Sequence, residues 1–420
     1  MKILIIYRHF WPDSPPYASL LRSIGKHLVK HGHEVTIWCE QPCYKASDCL
    51  QTAPKAEILN GIMVERFARL PFSGRVSVMA TLDKLMFLPR LLGKALRRKM
   101  SGENYELVWT ATIPPVFQGF VGRLIARLFR ARFLYHFQDV YPELGQVMGL
   151  WPKDGLVDRI LTRIEIDNRQ LADQIVTLSG DMLETILRLS PSGVRGQAAI
   201  INNFLLDDFA TQRSDVDPII ASSIATTSQT MDHEPIDIIF AGNLGIFQGL
   251  DKLVEAMQLI QDNADNIHLT FMGDGKAKQQ LQSMAKDLQH VYFRPHRPFA
   301  EAQYEIARAD VGIVSLEPKI YQLAYPSKTL TYMGLGLPIF AIVEPESQLA
   351  QTIVNSRVGF IANHCVDSIA DALLTISNQQ SQLLAMRKRA KDYYRSNLSS
   401  SHQLSLWAQM IRNLENDRNV

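Results

Sequence analysis

Four short segments of this 420-residue chain carry residue types that could do chemistry. Ala241-Gly242-Asn243-Leu244-Gly245-Ile246-Phe247-Gln248-Gly249 is a glycine-bearing loop between a strand pattern and a helix pattern. Glycines let backbone N–H groups approach a phosphate, and a helix N-terminus adds positive potential. The spacing G-x-x-G-x-x-x-G departs from the dinucleotide fingerprint, so an ordinary βα turn remains the alternative. Gly273-Asp274-Gly275 follows another strand pattern and reads equally well as a plain turn. Pro326-Ser327-Lys328-Thr329 opens a helical stretch, where charge and free N–H groups would meet an anion. The alternative there is a solvated lysine after an N-cap serine. His136-Phe137-Gln138-Asp139-Val140-Tyr141-Pro142-Glu143 releases polar groups from the end of an apolar strand, a common place for catalysis, with a polar loop broken by Pro142 as the alternative. His27, His31 and His33 flank a helix end, where dipole placement explains them. Cys39, Cys43 and Cys49 cluster, but their spacing is not that of a zinc knuckle, so no metal site is expected. The chain has no His-Glu-x-x-His, no serine nucleophile elbow and no Walker A loop.

These segments need a scaffold, and the hydrophobic pattern supplies one. Lys2–Tyr7 is a continuous apolar run of the kind buried in a parallel sheet. A helix over Tyr17–Lys30 and a strand over Glu34–Cys39 complete a βαβ unit. Further strands are predicted at Ile62–Phe67, Leu107–Thr110, Arg132–Phe137 and Gln174–Leu178. Residues 213–235 are rich in Ser, Thr and Asp and read as a linker or exposed loop. The βα pattern then restarts, with strands at Asp237–Phe240, His268–Met272, Val291–Phe293, Val311–Ser315, Pro338–Val343 and Gly359–Ile361, and helices at Leu250–Ile260 and Lys276–Leu288. The expected fold is α/β, with two Rossmann-like doubly wound domains facing across a cleft. Residues 1–205 form the first domain, 206–235 the connection, 236–395 the second, and 396–420 a helix that could cross back to the first. Ligands in such sheets bind outside the C-terminal ends of the strands.

Composition sets the outer bounds. Hydrophobic residues make up 46% and charged residues 20%, which excludes global disorder. No apolar run reaches the roughly 20 residues that span a bilayer, the N-terminus does not read as a secretory signal, and a cytoplasmic protein is expected. The net charge of +2 hides an asymmetry: residues 1–200 carry 26 basic and 18 acidic side chains, the remainder 18 and 24. The N-terminal half is thus suited to an anionic surface, membrane or nucleic acid.

Taken in order, these pieces resemble glycosyltransferase family 4 of the GT-B fold. The likeness runs from the opening strand through Lys30-His31-Gly32-His33-Glu34-Val35-Thr36, Gln138–Glu143, Ile175–Ser179, Gly242–Gly245, Met272–Gly275 and Ala309–Val311 to Pro326–Met333. The subgroup it resembles builds bacterial capsule, O-antigen or exopolysaccharide units. The resemblance implies a retaining, metal-independent enzyme with no cofactor, moving a hexosyl or N-acetylhexosaminyl group. A nucleotide-sugar donor, UDP favoured, would bind the C-terminal domain, and a lipid-linked or polysaccharide acceptor the N-terminal one. It places the donor at Gly242, Asn243, Gly245, Gln248, Gly273, Gly275, Arg294, Ser327, Lys328 and Thr331, and the acceptor at Asp13, Gln138 and Asp139, with the nucleobase near Phe293-Arg294.

Family members commonly carry an arginine and a lysine where this chain has Asn243 and Gln248, and a glutamate pair where it has Leu323 and Thr331. Ser14-Pro15-Pro16 replaces a common glycine pair, and Gln138 a common histidine. Lys328 must therefore supply most of the cationic stabilisation of the leaving diphosphate, helped by Arg8 or Arg294. Asp139 is the candidate for orienting the acceptor or assisting its deprotonation, Asp13 a second. A non-catalytic GT-B scaffold and a sugar-nucleotide 2-epimerase are the competing classes; nucleic-acid binding has no recognised module behind it. From Lys84 to Lys99, Leu85, Leu88, Leu92 and Leu96 recur at helical spacing among six basic residues. That pattern fits either a core-facing helix or a helix docking the protein peripherally on the anionic inner face of the cytoplasmic membrane.

Overall fold

The computed structural model describes residues 1–44, 52–68, 77–206, 235–245 and 248–416. Most of the expected connection over 206–235, Cys49, Ile246 and Phe247, and the side chains of Lys84 and Leu85, lie outside the described residues. The chain divides into two compact units: Met1–Asn203 with Leu323–Tyr325 and Gln403–Val420, and Phe204–Gln322 with Pro326–His402.

In the N-terminal unit, eight strands form one sheet: β1 (Lys2–Ile6), β2 (Glu34–Glu40), β3 (Ala56–Leu59), β4 (Ile62–Phe67), β5 (Leu107–Ala111), β6 (Arg132–His136), β7 (Gln174–Thr177) and β8 (Gln197–Ile200). Their order is β3-β4-β2-β1-β5-β6-β7-β8, parallel except for the β3–β4 pair. The central strands are buried on both faces, which is why Ile3 to Ile6 and Leu107 to Trp109 read as unbroken apolar runs. Edge strands β3 and β8 escape the sequence pattern because they are short and half exposed. The helices are α1 (Pro16–Lys30), α2 (Ser77–Met100), α3 (Phe117–Phe129), α4 (Glu143–Val147), α5 (Leu156–Gln170) and α6 (Gly180–Arg188). Helix α3 packs against both α2 and α5, so these three cover one face of the sheet.

Helix α2 takes the core-facing alternative. Phe87, Leu88, Leu91 and Ala95 are buried. Three of the six basic residues expected on its surface are paired within the unit: Arg90 with Glu40 at 3.3 Å, Lys94 with Glu65 at 2.7 Å, and Arg98 with Glu65 and Glu103. The leucine stripe does not share one environment either, since Leu88 is buried and Leu96 exposed.

The C-terminal unit holds a six-stranded parallel sheet in the order β11-β10-β9-β12-β13-β14. Its strands are β9 (Ile236–Ala241), β10 (Ile267–Met272), β11 (Val291–Arg294), β12 (Val311–Ser315), β13 (Ile339–Ile342) and β14 (Gly359–Ala362). Helices α7 (Leu250–Ile260), α8 (Lys278–Met284), α9 (Phe299–Arg308), α10 (Lys328–Leu335), α11 (Gln348–Ser356), α12 (Val366–Asn378) and α13 (Gln380–Tyr393) surround it. Helix α8 is shorter than the expected Lys276–Leu288, because Gly275 and the turn after it hold the chain against the neighbouring loop.

After a π-turn over Tyr394–Leu398 comes α14 (Ser400–Asn416), later than the expected start at 396. From Gln403 onward it belongs to the N-terminal unit, where Trp407 stacks on Trp109 at 4.3 Å and Arg132 donates to the Leu414 carbonyl. Leu323–Tyr325 belong there too: the Val140 N–H donates to the Leu323 carbonyl at 2.7 Å, and Asp139 bridges Ala324. No helix among the described residues is long and apolar enough to cross a membrane.

Candidate functional site

The polar segments singled out from sequence sit past the C-terminal ends of the strands in both units. In the C-terminal unit, the loop after β9 and the loop after β10 lie backbone to backbone. Leu244 N–H donates to the Asp274 carbonyl at 2.8 Å, and Gly273 has φ +150°, where any Cβ would stand 1.9 Å from the Gly242 carbonyl oxygen. A Cβ on Gly275 would meet the Leu244 carbonyl at 2.3 Å. Gly273 and Gly275 therefore make a loop-to-loop contact, the turn alternative, and do not themselves open space for a ligand.

The first loop presents fewer free donors than a phosphate cradle would. Gly242 N–H is bonded to the Met272 carbonyl, Leu244 N–H to Asp274, and Gly245 N–H to the Gln248 side-chain oxygen at 2.6 Å. Gln248 thus occupies a donor that a ligand would use, and its own carbonyl accepts from the Ser315 hydroxyl. Asn243 is exposed, and its N–H has no partner among the described residues.

Lys328, the first residue of α10, is the cation of this loop. Its ammonium lies 4.5 Å from the Phe240 ring centre, and a Cβ on Gly242 (φ +129°) would stand 3.0 Å from its Cε. No carboxylate or hydrogen-bond acceptor pairs with it among the described residues. Burial pulls its ammonium down to about 8, because an unpaired charge in a partly dry site is costly. Neighbouring Thr329 is buried with its hydroxyl unpartnered, and Thr331 is half-buried on the same helix. Ser327 is exposed and makes no capping bond. Tyr332 accepts from the Ala241 N–H at 3.0 Å and fixes α10 against β9. Arg294, offered as a second cation, is committed to Glu305 at 2.8 Å, and Phe293 stacks on core Phe271. Sequence reasoning missed Glu317, just past β12, whose carboxylate lies against Gly249. Its signal was an acidic group directly after a buried strand.

In the N-terminal unit the equivalent strand ends carry side-chain pairs. Arg8 is buried on Glu40 at 2.7 Å and so is committed within this unit. His9 Nδ1 lies 2.6 Å from Asp13, which also accepts from the backbone N–H of Tyr44 and Ser14. Burial opposes ionisation of Asp13, but the His9 bond and backbone donors together hold its carboxyl below the ordinary range. Cys43 Sγ sits 4.0 Å from His9 Nδ1, and one ligand atom from each of His9, Asp13 and Cys43 falls within 4.8 Å of the others. This trio is the place in the described residues where a metal could be held.

His136, buried at the end of β6, is locked neutral. Tyr17 Oη is 2.7 Å from Nδ1, and the Gln138 amide nitrogen is 3.0 Å from Nε2, which assigns the proton to Nδ1 by the network. Desolvation drives its pKa down to about 3. The Gln138 oxygen accepts from Asn203 at 2.8 Å. Both ends of that amide are spent within the protein, so Gln138 serves as a brace for His136 rather than as a free acceptor-binding group. Asp139 is different: no hydrogen bond or ion pair holds its carboxylate among the described residues, and burial raises its pKa to about 6. Tyr7 lies within electrostatic reach of both Asp139 and Asp13.

Profile comparisons match both units. The family described as "Glycosyl transferase 4-like domain" covers residues 17–203, and "Glycosyl transferases group 1" covers residues 235–379. This chain belongs to the glycosyltransferases of the GT-B fold. It is 21% identical to WcaI of Escherichia coli K12, named provisionally as a colanic acid biosynthesis glycosyl transferase, over 98% of this chain and 100% of that one. It is 26% identical to WbjE of Pseudomonas aeruginosa, a probable glycosyltransferase, over 53% of this chain and about half (54%) of WbjE. Among solved structures, sucrose-phosphate synthase from Thermosynechococcus elongatus superposes with a TM-score of 0.72 at 16% identity, covering 99% and 100% of the two chains. HepE from Anabaena in complex with UDP gives 0.64 at 15%, covering 99% and 100%. At these identities the structural likeness speaks for the fold.

Proposed function

We propose that this glycosyltransferase moves a hexosyl or N-acetylhexosaminyl group from a nucleotide-diphosphate sugar, UDP favoured, to a lipid-linked or polysaccharide acceptor, retaining anomeric configuration. The observation that carries the reading is Lys328, an ammonium with no carboxylate partner among the described residues, held against Gly242 where the β9 loop turns away from the sheet. A group left charged and unpaired in a half-buried site suits an anionic ligand that arrives later. UDP bound to HepE and the polysaccharide assignment of WcaI favour the donor class and the cell-surface pathway. In this reading the departing diphosphate is neutralised by Lys328, and the acceptor proton passes to a leaving phosphate oxygen, with Asp139 orienting the acceptor. No metal or cofactor takes part, and turnover is expected to survive EDTA. If it does not, His9, Asp13 and Cys43 are the ligands to replace. The enzyme works in the cytoplasm, at the anionic inner face of the membrane, where a lipid-linked acceptor is presented.

A second reading, a non-catalytic scaffold, draws on Gln248 filling the Gly245 donor. One assay separates the two. The protein is incubated with UDP- and GDP-sugars, with and without lipid-linked acceptor, and nucleotide diphosphate release and product anomeric configuration are read. Acceptor-dependent release with retention supports the transferase. A 2-epimer of the nucleotide-sugar formed without acceptor and without net diphosphate release would point to an epimerase, and neither release nor epimer to the scaffold.

A further inference from the structure

The stretch from α4 into α5 exposes apolar surface that neither unit's chemistry uses. Val147, Met148, Leu150, Leu156, Val157 and Ile160 are all exposed large apolar side chains, and Leu156 reaches 76%. Scattered single exposures are ordinary, but six within one helix–loop–helix segment form a patch. The segment is built stiffly. Buried Asp158 accepts from the Gln146 amide at 2.7 Å, from the Asp154 backbone N–H at 2.9 Å and from the Trp151 indole at 3.1 Å. The Trp151 indole lies against Gly145, where a Cβ would stand 2.3 Å from the ring. A carboxylate and an indole are thus spent on holding the loop that carries exposed leucines outward.

The exposed charge around the patch is mostly positive. Lys153, Arg159 and Arg163 are exposed beside it, and none of the three is held by an ion pair among the described residues. Asp154 is the lone exposed acid between Val147 and Arg163, since Asp158 is buried. Apolar side chains ringed by cations match an anionic bilayer surface, with acyl chains beneath and phosphates above. The patch is also continuous in sequence with Gln138 and Asp139: α4 begins at Glu143, and Leu156 opens α5 at the same strand-end side of the sheet. We propose that the α4–α5 segment is the membrane-docking surface of the N-terminal unit, seated on anionic lipid with Leu156, Val157 and Ile160 inserted. The idea rests on the lipid-linked acceptor reading and moves the docking site from α2, whose basic side chains are half committed to acids, to α4–α5.

The test is co-sedimentation of the full chain with vesicles of phosphatidylglycerol and phosphatidylcholine, and of phosphatidylcholine alone. Leu156→Ser/Val157→Ser/Ile160→Ser is expected to lower partitioning onto anionic vesicles at least tenfold, with unchanged circular dichroism. Arg159→Glu/Arg163→Glu is expected to remove the preference for anionic lipid, and Arg97→Glu/Lys99→Glu on α2 to change little. Nucleotide release with a short-chain, water-soluble acceptor is read in parallel and stays at the parent level in the serine variant; that arm reports on the glycosyltransfer reading alone. Partitioning by the serine variant equal to the parent would overturn the proposal. So would sedimentation showing that the patch instead pairs two copies of the chain, with the variant monomeric.

Discussion

The two units solve the same problem with different materials. Past the strand ends of the C-terminal unit, backbone packs on backbone through Gly242, Gly273 and Gly275, and Lys328 is left a cation with no acid partner among the described residues. Past the strand ends of the N-terminal unit, charged and polar side chains satisfy each other: Arg8 with Glu40, His9 with Asp13, His136 with Tyr17 and Gln138. There the leftover among the described residues is the Asp139 carboxylate. The comparison separates groups that hold a site together from groups that wait for a ligand. In both units burial has moved the waiting group's pKa, Lys328 to about 8 and Asp139 to about 6. Burial also takes His136 down to about 3, but its two ring hydrogen bonds mark it as a group that holds the site.

The largest effect is expected at Lys328. Lys328→Ala removes the cation facing the diphosphate, which costs about 3 kcal/mol of transition-state stabilisation, or about a hundredfold in kcat. Steady-state turnover with the best donor measures it, and a loss below about threefold would assign the role to another group. Asp139→Asn is expected to lower transfer by about tenfold or more while leaving donor affinity by calorimetry nearly intact, because Asp139 belongs to the other unit. The acid limb of the pH–rate profile should fall near pH 6 and vanish in the variant. His136, neutral down to about 3, cannot produce that limb.

Neutral substitutions at the same two positions should also gain stability, since each removes a charge that folding strands. Asp139 holds its proton more tightly folded than unfolded, so its penalty is absent below about pH 4 and complete above about pH 6. Lys328 holds its proton less tightly folded, so its penalty is complete below about pH 8 and relieved as pH rises toward about 10.5. Urea unfolding at pH 7.5 should show Asp139→Asn and Lys328→Met each stabilised by about 1 kcal/mol, after allowance for solvent reaching both groups. Destabilisation would mean that hidden partners hold them. The smallest effect is expected at Gln248→Lys, which frees the Gly245 N–H and adds a cation. UDP should bind about threefold more tightly, a change calorimetry resolves.

Much of the fold was legible because parallel strands buried on both faces write themselves as apolar runs. Lys2–Ile6 and Leu107–Ala111 needed nothing else. The edges β3 and β8 were not legible, since a half-exposed four-residue strand has no pattern to show. Lys328 was readable as a lysine at a helix start, and its lack of a partner was not. Gln138 and Asp139 are neighbours with similar polarity, yet one is tied at both ends and the other free. Only the positions of His136 and Asn203, set by β6 and by the segment after β8, decide which. The paired basic residues of α2 show the same limit, because Glu65 and Glu40 come from strands distant in sequence.

Proton uptake on UDP binding tests the central claim, that Lys328 waits unpaired for the donor diphosphate. A diphosphate beside Lys328 raises its pKa, so at pH 8, where the free enzyme's ammonium is about half deprotonated, binding should draw in about half a proton. Calorimetry of UDP in buffers of different ionisation enthalpy reads that number directly. The account expects about half a proton for the parent and none for Lys328→Ala. An uptake near zero for the parent, or one equal in the variant, would contradict it.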